Sequence, residues 1–331
     1  MARKGGNVKI HQLLTVAVVL AASTAIATAQ VYPSRPITIV VPFAAGGPSD
    51  TIARIMAEHI RVSLGQPIIL ENVAGAAGSI GAGRVALAAG DGYTLAVGVW
   101  GTHVLNGAIY RLSYDLVKDF EPIALVASNP MVIAAKKAMP ANDLAELIAW
   151  LKANPDKASA GTTGTGGASH VAAILFQKET GTRFQFVPYR GLAPAMQDLV
   201  AGHIDMIIDN PASSLPQARA GNIKVYAVTA KARLAAAPDI PTADEAGLSG
   251  FNVSQWTGLW APKGTPKDII AKLNEAVVES LADKNVLTRF ADLGQFIPPR
   301  DQQTPESLRA YQKAEIEKWW PIIKAANIKA E

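Results

Sequence analysis

The 331-residue chain is 49% hydrophobic and 18% charged, with 27 Gly, 21 Pro and no Cys. That profile excludes a disordered chain, a collagen-like polymer and a disulfide-stapled miniprotein. Formal charge is +4, yet Arg3, Lys4 and Lys9 fall within the first 29 residues, which hold no acid, leaving 28 basic against 27 acidic side chains; with 6% aromatics there is no pattern for nucleic-acid recognition.

The chain begins with that basic start, continues through an apolar run over 13–22, and reaches small residues ending Ala27, Thr28, Ala29. These three zones make a secretory signal peptide. An apolar run of about ten residues is half the length of a membrane-spanning helix, so cleavage after Ala29 and release of a soluble protein into a bacterial periplasm are expected. From Gln30 onward the chain is too long for a typical single core and suits two lobes.

A β-branched run over 37–43 predicts a strand, Ala44-Ala45-Gly46-Gly47 a turn, and Ile52, Ile55, Met56 and Ile60 at helical spacing a helix from Ser49. Strands follow at 67–72, 93–99 and 125–135, with a small-residue helix over 78–89. Such alternation predicts an α/β layered domain with a mostly parallel sheet. A helix over 143–153, stopped by Asn154-Pro155, leads to a second set: strands at 158–161, 184–188, 204–208 and 224–229, and helices over 169–180 and 193–201. The stretch 251–261 reads as extended and holds Trp256 and Trp260. Two amphipathic helices close the chain, opening at Thr265-Pro266 and Thr304-Pro305, each pairing an N-cap residue with Pro at the first helical position. Two α/β units followed by C-terminal helices predict a chain that leaves its first lobe near 130 and returns near 252, with a ligand between the lobes.

Three segments suit an anionic ligand. Phe43-Ala44-Ala45-Gly46-Gly47-Pro48-Ser49-Asp50 joins a strand end to a helix start, where turned backbone N–H groups and the helix dipole favour a carboxylate or phosphate; Ser49 or Asp50 can equally be an ordinary cap. Gly161-Thr162-Thr163-Gly164-Thr165-Gly166-Gly167-Ala168-Ser169-His170 mixes glycines, hydroxyls and one imidazole and contains no acid. Taken alone, His170 reads more readily as a capping residue than as a ligand contact. Tyr189-Arg190-Gly191 ends the next strand, and in open α/β sheets ligands lie beyond the carboxyl ends of strands. Trp100-Gly101-Thr102-His103 and Asp209-Asn210 occupy similar strand-end positions.

Enzyme signatures are weak. Gly81-Ala82-Gly83-Arg84-Val85-Ala86 has the spacing of a dinucleotide fingerprint but follows a glycine-alanine loop where a strand is required. There is no GxSxG elbow, P-loop lysine or Cys nucleophile, and no two of the five His stand at HExxH spacing. No cofactor and no metal are expected.

Together with Tyr32-Pro33-Ser34-Arg35-Pro36-Ile37, Asp198-Leu199-Val200-Ala201-Gly202 and the segment from Trp256 to Pro266, these loops resemble the Bug family of extracytoplasmic solute receptors, the binding components of tripartite tricarboxylate transporters. The resemblance implies a two-lobed, type II-like periplasmic-binding-protein fold with two crossover segments: a signal peptide over 1–29, lobe 1 over 30–130, lobe 2 over 131–252, and a return to lobe 1 over 253–331. It implies a monomer that closes over a small carboxylated solute and hands it to membrane transporter subunits. It also implies that Phe43 to Asp50 and Thr162 to His170 hold a carboxylate through backbone amides, with Tyr189 to Gly191 and Asp209 as neighbours and Trp100 to His103 near the distal end. Two other functions stay open: an exported enzyme using His170 or His103 as a base, and a sensor reporting to a membrane kinase.

Overall fold

Apolar β-branched runs become strands and glycine-ended amphipathic runs become helices throughout residues 32–329, which the computed structural model describes; the leader and the expected cleavage point lie outside the described residues. Contacts divide the chain at Ser34, and both lobes belong to the body Arg35–Glu331. Of the preceding segment, Tyr32 to Ser34 is described, with a cis Tyr32–Pro33 peptide.

The first lobe runs β1 (Ile37–Val41), α1 (Pro48–Leu64), β2 (Ile68–Asn72), α2 (Ser79–Ala86) and β3 (Thr94–Val99). A wide helical turn, Gly101–Leu105, then leads to the short α3 (Asn106–Ile109) and β4 (Phe120–Pro130). The chain crosses into β5 (Val132–Lys136), α4 (Leu144–Ala153), β6 (Ser159–Thr162), α5 (Ala168–Thr180), β7 (Gln185–Pro188), α6 (Leu192–Ala201), β8 (Met206–Asp209), α7 (Pro211–Arg219) and β9 (Ile223–Val228). It returns in β10 (Ser254–Pro262) and ends with α8 (Lys267–Ala282), α9 (Lys284–Asp292) and α10 (Pro305–Ala325).

Two five-stranded sheets result, ordered β2-β1-β3-β10-β4 and β7-β6-β8-β5-β9. Neither is mostly parallel, contrary to the reading of alternation alone. In each sheet the βαβ strands pair in parallel, while the strands entering or leaving a lobe, β10 and β5, pair antiparallel with both neighbours. The run 125–135 is likewise two strands, not one. Ser128-Asn129-Pro130 interrupts its apolar residues; β4 belongs to the first sheet and β5 to the second, with Met131 between them.

At that junction the chain crosses between the lobes. Met131 N–H donates to Thr229 Oγ1 at 2.8 Å, and Thr229 Oγ1–H donates to the Val253 carbonyl at 2.5 Å, so the outgoing and returning crossings are tied side by side. Beside them Asn210 Nδ2 donates to Asn129 Oδ1 at 3.1 Å and Gln295 Nε2 to Asn210 Oδ1 at 3.0 Å.

Two helices depart from expectation. α7 was missed because Pro216 interrupts its polar sequence, and α9 because Leu281 and Val286 straddle a one-residue break at Asp283, whose carboxylate caps the new helix. Thr304 caps α10 with Pro305 at the first position, as expected; at α8 the N-cap is Pro266 itself, and Thr265 turns its hydroxyl to the Pro262 carbonyl at 2.7 Å. Trp100, Trp256, Trp260 and Phe120 are fully buried in the first lobe, Phe176 in the second, each contributing on the order of 2–3 kcal/mol by burial.

Candidate functional site

Four helices of the two lobes point their N-termini at one place. α1 of the first lobe and α5, α6 and α7 of the second begin on the walls of an inner cavity of about 40 Å³. On the same measure one water needs roughly 10–15 Å³, so the space fits one small polar group. The first lobe supplies Phe43, Gly47, Pro48, Ser49, Val99, Gln255 and Thr257; the second supplies Thr163, Ala168, Leu192, Asp209 and Asn210. Glycine caps three of the helices, at Gly47, Gly167 and Gly191, with no side-chain hydrogen bond, whereas Asp143, Asp283 and Thr304 cap helices elsewhere with their side chains. Uncapped first turns leave N–H groups and the positive end of the dipole for an anion.

An outer cavity of about 590 Å³ adjoins the inner one, sharing Phe43 and Thr163. Its walls include Gly164, Thr165, Tyr189 and Arg190 from the second lobe and Tyr110 with the loop from Ala74 to Gly78 from the first. That loop was not singled out by sequence. Its signal is backbone conformation, with Ala76 at φ 45° and Ala77 at φ 49°, which composition does not reveal. Gln255 was missed because it is one polar residue in an apolar strand.

The remaining loop residues brace the walls. Asp50 is 2% exposed, accepts from Gly46 N–H at 2.9 Å and Asn72 Nδ2 at 3.1 Å, and pairs with Arg54 at 2.8 Å. Burial opposes its charge, but these bonds outweigh it and hold its pKa below the usual value. Ala44 N–H donates to the Arg190 carbonyl at 3.1 Å across the cleft, and Ala45 lies in the same turn. Ser169 Oγ accepts from Thr163 N–H at 2.7 Å, and Thr162 is buried at the end of β6. His170 Nδ1 accepts from Gly166 N–H at 2.8 Å, and burial pushes its pKa down to about 4, so it is a neutral pin of the loop.

Trp100, Thr102 and His103 are placed differently from the sequence reading: their side chains are fully buried in the first lobe and line neither cavity. The wide turn after β3 rotates them inward. Trp100 meets Trp319 edge-on at 4.8 Å, His103 stacks on Trp260 at 4.1 Å, and Thr102 Oγ1 accepts from Val99 N–H at 3.0 Å. Burial lowers His103 to about 3.

Asp209 differs from the bracing residues. It is 3% exposed and faces the inner cavity; Oδ1 accepts from Asn210 N–H at 2.7 Å and Gln255 Nε2 at 3.2 Å, and burial, only partly offset by these bonds and by Ser169, raises its pKa to about 6.

Two α/β lobes joined by two side-by-side crossings, with a cavity at their helix ends, define a periplasmic binding protein. The chain belongs to the tripartite tricarboxylate transporter family receptors, TctC, whose model matches residues 52–328. It is similar to the solved periplasmic binding protein BugD (39% identity, TM-score 0.87, covering 90% of this chain and 100% of that one). It is also similar to MatC of Rhodopseudomonas palustris, solved with bound malate (41%, 0.85, 88% and 100%), and to R. palustris Rpa4515, solved with adipate (33%, 0.86, 90% and 100%). The family resemblance read from the sequence is thereby shown.

Proposed function

We propose that this receptor captures a small carboxylated solute between its lobes and presents the closed form to membrane subunits of a tripartite transporter. The carrying observation is the inner cavity between the lobes, where four helix N-termini converge and, among the described residues, no basic side chain lines the wall. Malate and adipate in the similar structures support a carboxylate as the bound group. The solute's carboxylate sits at the helix ends and its distal part in the outer cavity, where Arg190 is the single cation among the described lining residues. The candidate loops Phe43 to Asp50 and Thr162 to His170 act as walls and braces, with Tyr189 to Gly191 at the mouth. The mature protein works in the periplasm, as a monomer, after removal of the leader at Ala29.

A catalytic role finds no support, since the two histidines considered as bases are engaged elsewhere: His103 is in the core, and His170 Nδ1 is occupied by Gly166. A sensor would use the same closed form, and capture of a kinase instead of transporter subunits from solubilised membranes would favour it.

A thermal-shift panel of mono-, di- and tricarboxylates, followed by calorimetry, tests the reading. A solute at a hundredfold its Kd stabilises the fold by about 2.7 kcal/mol, and mass spectrometry should recover it chemically unchanged. No saturable shift, together with no co-purified acid in the denatured supernatant, would remove the proposal.

A further inference from the structure

The turn Tyr189-Arg190-Gly191 is lightly held for a wall of the outer cavity. It leaves β7, an edge strand paired with β6 alone, and enters α6 through Gly191, which caps that helix at φ 150° with no side-chain hydrogen bond. Tyr189 N–H donates to the Thr162 carbonyl at 2.9 Å. Among the described residues the turn makes one side-chain hydrogen bond within its own lobe: Tyr189 Oη donates to Asp198 Oδ2 at 2.6 Å.

Asp198 stands well inside α6 and lines neither cavity. Its carboxylate is fixed from a second side, since Oδ1 lies 3.2 Å from His203 Nδ1 and the His203 N–H donates to the Asp198 carbonyl at 2.8 Å. The Tyr189 ring packs on the apolar cluster of Leu192, Ala195, Met196 and Leu199. The phenol is thus held along its length, the ring by apolar contact and the hydroxyl by a charge-assisted bond. Two groups of the turn serve the cleft. The Arg190 carbonyl accepts from Ala44 N–H of the first lobe at 3.1 Å, and the Arg190 side chain lines the outer cavity. Both follow the turn, and the turn follows Tyr189.

Resting on the solute-receptor reading above, we propose that Asp198 is a positioning residue for capture: by holding the Tyr189 hydroxyl it fixes the mouth turn, so that closing lobes bring the Arg190 carbonyl onto the Ala44 N–H and the Arg190 side chain onto the outer cavity. Because the bond to Ala44 forms only between closed lobes, its loss acts on the departure of solute and not on its arrival.

Calorimetry with succinate, malate, adipate and citrate first selects an acid that binds, and stopped-flow displacement then follows that acid at pH 7.5. Asp198→Ala should raise its dissociation rate about three- to tenfold, the size of one partly exposed hydrogen bond to a charged group, while the association rate changes by less than about twofold. Tyr189→Phe should match it, and the double variant should be no worse than either single one, because the two side chains act as a unit. Asp198→Asn keeps an acceptor oxygen and should recover most of the wild-type rate. In the solute-saturated protein, hydrogen exchange at the Ala44 amide should speed up in Asp198→Ala; a role confined to the stability of α6 would not reach that amide in the other lobe. Unchanged dissociation in Asp198→Ala, additive losses in the double variant, or Asp198→Asn as impaired as Asp198→Ala would each overturn the proposal and leave the receptor reading standing. Failure of all four acids to bind the wild-type protein removes the carboxylate-receptor reading, and this inference with it.

Discussion

The cleft loops are held by single side chains, some of them set back from its open space. Asp50 gathers Gly46 N–H, Asn72 and Arg54 around one buried carboxylate, and Asn72 in turn donates to the Phe43 carbonyl at 3.0 Å. Asp50→Ala strips the turn of its brace and leaves Arg54 and Asn72 without their partner. We expect a loss of about 2 kcal/mol in a urea melt and a fall of about tenfold or more in solute affinity, since the N-terminus of α1 is no longer aimed. Asp50→Asn, which keeps the shape but not the charge, should lose less of both; equal affinity in all three proteins would show that the turn is held otherwise. Tyr110 acts at the same scale: its hydroxyl donates to the Thr165 carbonyl across the cleft. Tyr110→Phe removes a contact made only when the lobes meet, so the solute should leave severalfold faster in stopped-flow displacement while the association rate changes little.

At the scale of elements, closure depends on backbone approaching backbone. Gly191 precedes α6 at φ 150°, and a Cβ there would stand 3.1 Å from the Ala44 nitrogen of the other lobe. Gly191→Ala should therefore oppose closure: affinity falls by about tenfold or more, and small-angle scattering with saturating solute reports a larger radius of gyration than wild type. An unchanged radius and affinity would mean the two loops slide past one another. Much of this arrangement was legible in the chain, because a β-branched run, a glycine turn and an amphipathic helix are local signals that tertiary packing does not reverse. The acid-free loop ending at His170 was visible for the same reason, as hydroxyls and glycines clustered at a strand-to-helix junction. Other features were not local. Within 125–135, Ser128-Asn129-Pro130 marks a break, but nothing local says that the two halves join different sheets across Met131. A strand-end position does not say whether Trp100 and His103 turn to the cleft or to the core, which the wide turn Gly101–Leu105 decides. Gln255 reaches the site only because β10 returns from the other lobe between β3 and β4.

For the whole molecule, the titrating groups buried on either side of the cleft set how the fold responds to acid. His103 and His170 titrate in the folded state at about 3 and about 4, against an ordinary 6.5, because burial disfavours their charged forms. Between pH 6.5 and 4 the unfolded chain therefore binds two protons that the folded chain does not, and stability falls as pH falls. Asp209 acts in the opposite sense. Burial raises it to about 6 from 3.8, so between those values the folded protein holds a proton that the unfolded chain has released, and this group adds stability as pH falls. Counting these three groups alone, over roughly pH 6 to 4 the unfolded state binds one proton more on balance, a contribution of about 1.4 kcal/mol per pH unit to the fall in stability, to which Asp50, Asp198 and Asp205, held below their usual pKa, add towards pH 4. In Asp209→Asn the opposing group is gone, and the slope should be steeper than that of the wild type by about 1.4 kcal/mol per pH unit. Urea melts of both proteins at pH 4.5, 5.0 and 5.5 measure the two slopes directly. A variant slope equal to the wild type would mean that Asp209 is already ionised over this range in the folded protein. In that event the uncapped helix ends around the cavity stabilise its charge more strongly than burial opposes it, and the same helix ends would then have less attraction left for a solute anion.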